Sequence, residues 1–431
     1  MKNLLTLFGA TLLWSTLTIA SANPMSRGEY LAHSGDCMAC HTQNPDQPYG
    51  GGHGLASPIG TIYATNISPD TTYGIGHYTY EDFAKAMRDG VRPNGEALYP
   101  AMPFVSYAKI NDEDMHALYD YFMHEVAPVA MPNRTNEIEW PLNLRFPMTL
   151  WNQLFTSPEL YQYDETKSAE YNRGAYLVQG LGHCGTCHTP RSIALVEEGL
   201  TEASPKFLAG GQVGHWYAPS LRHLGEIDEN ELLKLLKDGR NEQHAFAGPM
   251  SEVTSFSLRH LTDDDLMSMI IYLKEIQLPM PTRLRGADHV KPSDEGMRLY
   301  QDLCSTCHGD QGQGEKNVVP ALRDRGYGTK GDAMNVALVM IEGAQTAHRA
   351  DRLPYEMPAY ANRLTDEEIA QITNVIVDNE AWNNDGVPLA ERDIKTLKAE
   401  PFVASGWWVM AGGIIAVCVL ILLLLRWRRT S

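Results

Sequence analysis

Six of the seven cysteines fall into three pairs with one grammar: Cys37-x-x-Cys40-His41, Cys184-x-x-Cys187-His188 and Cys304-x-x-Cys307-His308. Two thiols separated by two residues can reach both vinyl groups on one edge of a porphyrin, and the adjacent histidine turns beneath the ring to meet the iron. This is the attachment signature of c-type haem. A zinc-knuckle reading would need the pairs to combine into shared sites. The pairs stand 147 and 120 residues apart, and that reading gives no reason for the histidine. Three covalently bound haem c groups are therefore expected, each completing the core of a domain of about 100 residues that could hardly build one alone.

Around each motif the same order of signals recurs. A helix with a glycine leads in, at Arg27-Gly28-Glu29-Tyr30-Leu31, Arg173-Gly174-Ala175-Tyr176-Leu177 and Glu295-Gly296-Met297-Arg298-Leu299. Apolar residues at helical spacing let the glycine side approach another helix closely. A second helix then stops at a glycine, over Tyr80–Asp89, Glu229–Asp238 and Asp332–Glu342. Each copy closes with a helix opened by a capping box, Asn111-x-x-Asp114, Thr262-x-x-Asp265 and Thr365-x-x-Glu368. The pattern predicts a mainly α chain of three tandem class I cytochrome c-like domains over residues 23–145, 166–285 and 290–385, followed by a linker at 386–405.

Between the second and third helices a proline-bordered methionine appears in every copy: Met102, Met250 and Met357, at 61, 62 and 49 residues from the proximal histidines. A soft thioether suits low-spin iron and raises its potential relative to a second histidine. His41 with Met102, His188 with Met250, and His308 with Met357 are the expected iron ligands. Cys37, Cys40, Cys184, Cys187, Cys304 and Cys307 are the covalent attachment points. Met87, Met115, Met123, Met267 and Met269 fit helix cores instead, and His33, His53, His77 and His183 hold no repeated place. Arg191 is either a partner for a haem propionate or an exposed charge. Tyr107, Trp216 and Tyr217 either wall a haem from water or fill a core. A peroxidase-like enzyme would need an open or cysteine-ligated iron. The exported portion has no spare cysteine, and Met357, with its shorter separation, is where an opening would show. No residue is assigned a catalytic role.

The two ends depart from the average composition. Lys2, the apolar run from Leu4 to Ile19 and the small residues Ala20-Ser21-Ala22 fit a secretory signal peptide over residues 1–22. Residues 406–425 carry no charge and are long enough to cross a bilayer as a helix. Trp407 and Trp408 sit at the start of this run and Arg426, Arg428 and Arg429 follow it, which puts the C-terminus in the cytoplasm and the haem domains in the periplasm of a bacterial inner membrane. With 53 acidic against 35 basic residues, the net charge of -18 argues against a nucleic-acid partner.

Arg27-Gly28-Glu29-Tyr30-Leu31, Gly35-Asp36-Cys37, Ser57-Pro58-Ile59-Gly60-Thr61-Ile62-Tyr63, Leu98-Tyr99-Pro100-Ala101-Met102-Pro103 and Gly182-His183-Cys184-Gly185-x-Cys187-His188-Thr189-Pro190-Arg191 make the chain resemble a known family. This is the trihaem cytochrome c subunit of the membrane-bound dehydrogenases of oxidative bacteria, and the likeness spans roughly residues 25–385. It implies a partner: a large catalytic subunit, with or without a small third one, oxidises the substrate, and the cytochrome subunit passes the electrons to ubiquinone in the membrane. FAD in a gluconate or sugar dehydrogenase partner is the expectation. PQQ in an alcohol dehydrogenase and molybdopterin in an aldehyde dehydrogenase are the alternatives.

Overall fold

The computed structural model describes residues 24–156, 158–224, 227–241, 244–278, 292–316, 318–345 and 356–399. The expected signal peptide and membrane span lie outside them. Among the described residues no helix is long and apolar enough to cross a membrane.

The fold is mainly helical. The first repeat holds α1 (Arg27–Ser34), α2 (Tyr80–Asp89) and α3 (Asp112–Asp120), and α4 (Phe146–Phe155) leads to the second. There follow α5 (Ala169–Tyr176), α6 (Glu229–Asp238), α7 (Pro249–Phe256) and α8 (Asp263–Glu275). The third repeat has α9 (Asp294–Leu303), α10 (Lys330–Glu342) and α11 (Asp366–Val377), and α12 (Glu391–Lys398) closes the described chain. Small antiparallel sheets fill the loops. In the first repeat β1 (Gly54–Ser57), β2 (Gly60–Tyr63) and β3 (Glu137–Ile138) pair in that order, with Gly54 opposite Tyr63 and Gly60 opposite Ile138. In the second, β4 (Gly211–Val213) pairs with β5 (Trp216–Ala218). The glycine stops fall where expected, with Gly90 and Gly239 left-handed at φ 62° and 72°. The third such helix begins two residues earlier than expected, at Lys330, because Thr329 and Asp332 cap it reciprocally.

The leading glycines show why each repeat closes as it does. α1 crosses α3, α5 crosses α8 and α9 crosses α11. A Cβ at Gly28 would sit 2.2 Å from the Ala117 carbonyl oxygen, one at Gly174 1.9 Å from that of Ser268, and one at Gly296 2.9 Å from that of Gln371. Only glycine permits these approaches.

The closing caps divide in two ways. Thr365 and Glu368 form the full reciprocal box. Asp114 and Asp265 instead turn to the arginine beside the opposing glycine. Arg27 Nη2 meets Asp114 at 2.7 Å and Arg173 Nη2 meets Asp265 at 2.6 Å. The third repeat has Glu295 where the others have arginine, and Glu295 pairs with Arg298 in its own helix.

The first two repeats also exchange one residue each. Tyr176 of the second donates to Asp114 of the first at 2.7 Å, and Tyr30 of the first donates to Asp265 of the second at 2.5 Å. Both tyrosines stand two residues after the crossing glycine, so the contact is an internal counterpart of an isologous dimer interface. His33 stacks on His260 across the same junction, with centroids 3.9 Å apart. Accordingly the first two repeats share one apolar core, from Leu31 to Ile276, and the third has its own. Residues 391–398, expected to be linker, form α12 instead, and Ile394 and Leu397 are buried in that third core.

Candidate functional site

Each motif is a short helical turn packed at the end of its leading helix. The three histidines share one arrangement. His41 Nδ1 lies 2.6 Å from the Thr65 carbonyl oxygen, His188 Nδ1 2.7 Å from that of Pro219, and His308 Nδ1 3.1 Å from that of Pro320. A carbonyl can only accept, so Nδ1 carries the proton and Nε2 presents a lone pair, as an iron ligand must. Burial lowers the pKa of all three imidazoles against a smaller upward pull from these carbonyls, which keeps them neutral.

The six motif cysteines form no disulfide with one another, which leaves both sulfurs of each pair to the attachment chemistry. Burial pushes Cys37, Cys40 and Cys184 up to about 12 and Cys187 and Cys304 up to about 11. Among the described residues no group of three or more His, Cys, Asp and Glu side chains could hold a metal ion. Cys37, Cys40 and His41 are enclosed by the fold yet keep part of their surface open, and Cys184, Cys187, Cys304 and His308 do likewise. Asp36 Oδ1, next to Cys37 of the first motif, is buried without a hydrogen-bond partner. The residues present fit c-type haem.

Each expected distal methionine lies partly buried against the core of its repeat, Met102 and Met250 on the first and Met357 on the second. Met102 follows a turn closed by its own N–H to the Tyr99 carbonyl at 3.2 Å. Met250 opens α7, next to Pro249 and to Gly248, where a Cβ would strike the Trp216 ring at 2.4 Å. Met357 pairs with Ala344 in a two-residue ladder just beyond Gly343. Met87, Met115 and Met269 are core residues, as expected.

A further repeated element is a glycine whose N–H bonds the carbonyl of the motif histidine. Gly51 reaches His41 at 2.8 Å, Gly210 reaches His188 at 2.7 Å and Gly314 reaches His308 at 2.7 Å, all three with positive φ. The sequence hides this feature because the glycines lie 10, 22 and 6 residues after their histidines. The only signal is a glycine doublet or cluster after each motif.

Other expectations resolve differently. The Arg191 guanidinium is partly exposed and held by its own loop. It donates to the carbonyls of Leu195 and Thr186 at 2.8 and 3.1 Å and pairs with Glu197 at 3.3 Å. Tyr107 is buried, donates to the Gly35 carbonyl at 2.6 Å and lies edge-on to His183, which places it between the first two motifs. Trp216 and Tyr217 serve the third repeat as well as the second. Trp216 Nε1 reaches Glu342, and the Tyr217 backbone exchanges two hydrogen bonds with the Asn335 side chain.

The cytochrome c family model matches residues 293–378. Relatives align over nearly the whole chain. The gluconate 2-dehydrogenase cytochrome c subunit of Pantoea cypripedii is 39% identical over 94% of this chain and 97% of its own. The cytochrome c subunit of the quinone alcohol dehydrogenase of Gluconobacter oxydans is 37% identical over 91% and 86%. The fructose dehydrogenase cytochrome subunit of Gluconobacter japonicus is 34% identical over 84% and 80%.

Proposed function

Since this chain belongs to the family of cytochrome c subunits of gluconate, alcohol and fructose dehydrogenases, we propose that it is a three-haem electron-transfer subunit that takes electrons from a catalytic dehydrogenase subunit and delivers them to ubiquinone at the bacterial inner membrane. The observation that carries this reading is the threefold recurrence of a motif histidine with Nδ1 tied to a carbonyl and Nε2 left free, each in a repeat with a methionine-bearing loop. When bound, haem c supplies reversible one-electron chemistry at its iron.

The protein's own contribution is to hold and insulate. The Thr65, Pro219 and Pro320 carbonyls fix ring orientation and add basicity to the proximal imidazoles. Met102, Met250 and Met357 offer thioethers that favour the reduced, low-spin metal. Tyr107 keeps water from the ground between the first two motifs. No residue here oxidises an organic substrate. Residues 23–145, 166–285 and 290–385 each carry one haem in this reading, and residues 406–425 hold the chain in the membrane.

A gluconate or sugar dehydrogenase with FAD is the preferred partner, because the gluconate relative aligns over 97% of its length. A PQQ alcohol dehydrogenase is the second reading, supported by 37% identity to such a subunit. Purification of the intact complex decides between them. Flavin in the co-purifying subunit, with haem reduction by gluconate, is expected. PQQ with reduction by ethanol would replace the first reading with the second, and molybdopterin would point to an aldehyde dehydrogenase.

A further inference from the structure

Helix α4 shows solvent a row of large apolar side chains. Phe146, Leu150 and Leu154 are 73, 55 and 65% exposed, and a spacing of four residues stacks them on one face. Side chains off that row fasten the helix to both neighbouring repeats. Trp151 Nε1 donates to the Ala194 carbonyl at 2.8 Å, and Asn152 Nδ2 donates to the Asp89 carbonyl at 3.1 Å. The row is therefore turned outward by a fixed scaffold. Beside that anchor stands Ile193, fully exposed on the loop after the second motif. A contiguous apolar surface of this kind marks an interaction face.

The chemistry of the segment selects the occupant. Residues 140–157 contain no acidic residue, in a chain that has 53, and Arg145 is their one charge. Bulky aromatic and aliphatic side chains on one face of a helix with satisfied backbone groups suit the headgroup boundary of a bilayer. The same chain carries the charge-free run 406–425, and the seven residues from Ala399 to Gly406 span at most about 25 Å. A bilayer holding that run therefore lies within reach of the folded part.

We propose that the Phe146-Leu150-Leu154 face of α4, with Ile193, rests in the bilayer interface as a second membrane contact. This rests on the reading of residues 406–425 as a membrane span. Because one arginine faces a chain of net charge -18, the contact works by apolar insertion. It needs no anionic lipid and survives high salt.

The test uses the full chain with its haems in phosphatidylcholine vesicles and a photoreactive benzoylphenylalanine in place of Leu150 or Leu154. Illumination followed by intact-protein mass measurement is expected to show lipid adducts at both positions, with yields unchanged within twofold after washing in 1 M salt. A chain that floats with the vesicles yet forms no lipid adduct at either position overturns this inference and leaves the anchor standing. In native membranes, a polypeptide adduct in place of lipid also overturns it, by showing a protein occupant. A chain that does not float at all overturns the anchor and the inference together.

Discussion

Replacing Asp114 with alanine should be far more damaging than replacing its counterpart Glu368. Only 3% of the Asp114 side chain is exposed, and it accepts from Arg27 Nε and Nη2, Asn111 Nδ2 and Tyr176 Oη. Truncation strands the buried Tyr176 hydroxyl of the second repeat, at about 1–3 kcal/mol. It also removes a negative charge from the N-terminus of α3, at about 0.3–1 kcal/mol. The Arg27 side chain is half exposed and recovers hydration, so its pairing adds only about 0.5 kcal/mol. The expected loss is about 3 kcal/mol. Glu368 serves only an exposed capping box, and its loss should cost about 1 kcal/mol. Urea titrations of the haem-loaded chain followed by far-UV circular dichroism measure both, and hydrogen exchange in α5 should rise in the Asp114 variant alone. Equal losses from the two substitutions, or an α5 unaffected by Asp114→Ala, would refute the exchange of side chains between the first two repeats.

Gly174→Ala places a methyl group 1.9 Å from the Ser268 carbonyl oxygen and should cost upwards of about 2 kcal/mol as α5 and α8 part; a thermal melt reads it directly. Met102→Ala, Met250→Ala and Met357→Ala should each convert one haem of three from low to high spin without lowering haem content, as seen by paramagnetic resonance and pyridine haemochrome assay. Burial and the neighbouring His33 push His260 down to about 4, below its ordinary value of 6.5. The unfolded chain therefore binds one more proton between pH 4 and 6.5, and stability should fall with acidification across that window. His260→Gln should flatten the slope by one proton, and a slope unchanged in this variant would remove His260 from that linkage.

Local periodicity and punctuation made the repeats legible. The helix stops at Gly90 and Gly239 and the capped starts at Asn111, Thr262 and Thr365 depend on neighbours a few residues away, so the sequence displays them, and the crossing glycines show through their repeated position although the carbonyls they meet belong to Ala117, Ser268 and Gln371. The motif histidines were legible for the same reason. Long-range partners were not. The carbonyls that orient His41 and His188 lie 24 and 31 residues downstream, and any residue can supply a carbonyl. Arg191 was ambiguous until the loop that captures it was seen. The shared core of the first two repeats depends on Tyr30 and Tyr176, which read as ordinary amphipathic helix residues. The charged segment 386–405 looked like linker because α12 buries only a narrow stripe, Ile394 and Leu397, on an otherwise polar helix.

The most direct test of the central claim is a reductive titration of the isolated complex by the partner subunit's own substrate, followed in the visible haem bands and calibrated by haem content per chain. Three low-spin haems per chain, all reduced by substrate and reoxidised by added ubiquinone, is the predicted result. Fewer than three haems, or haems that stay oxidised while the catalytic subunit turns over with an artificial acceptor, would contradict it.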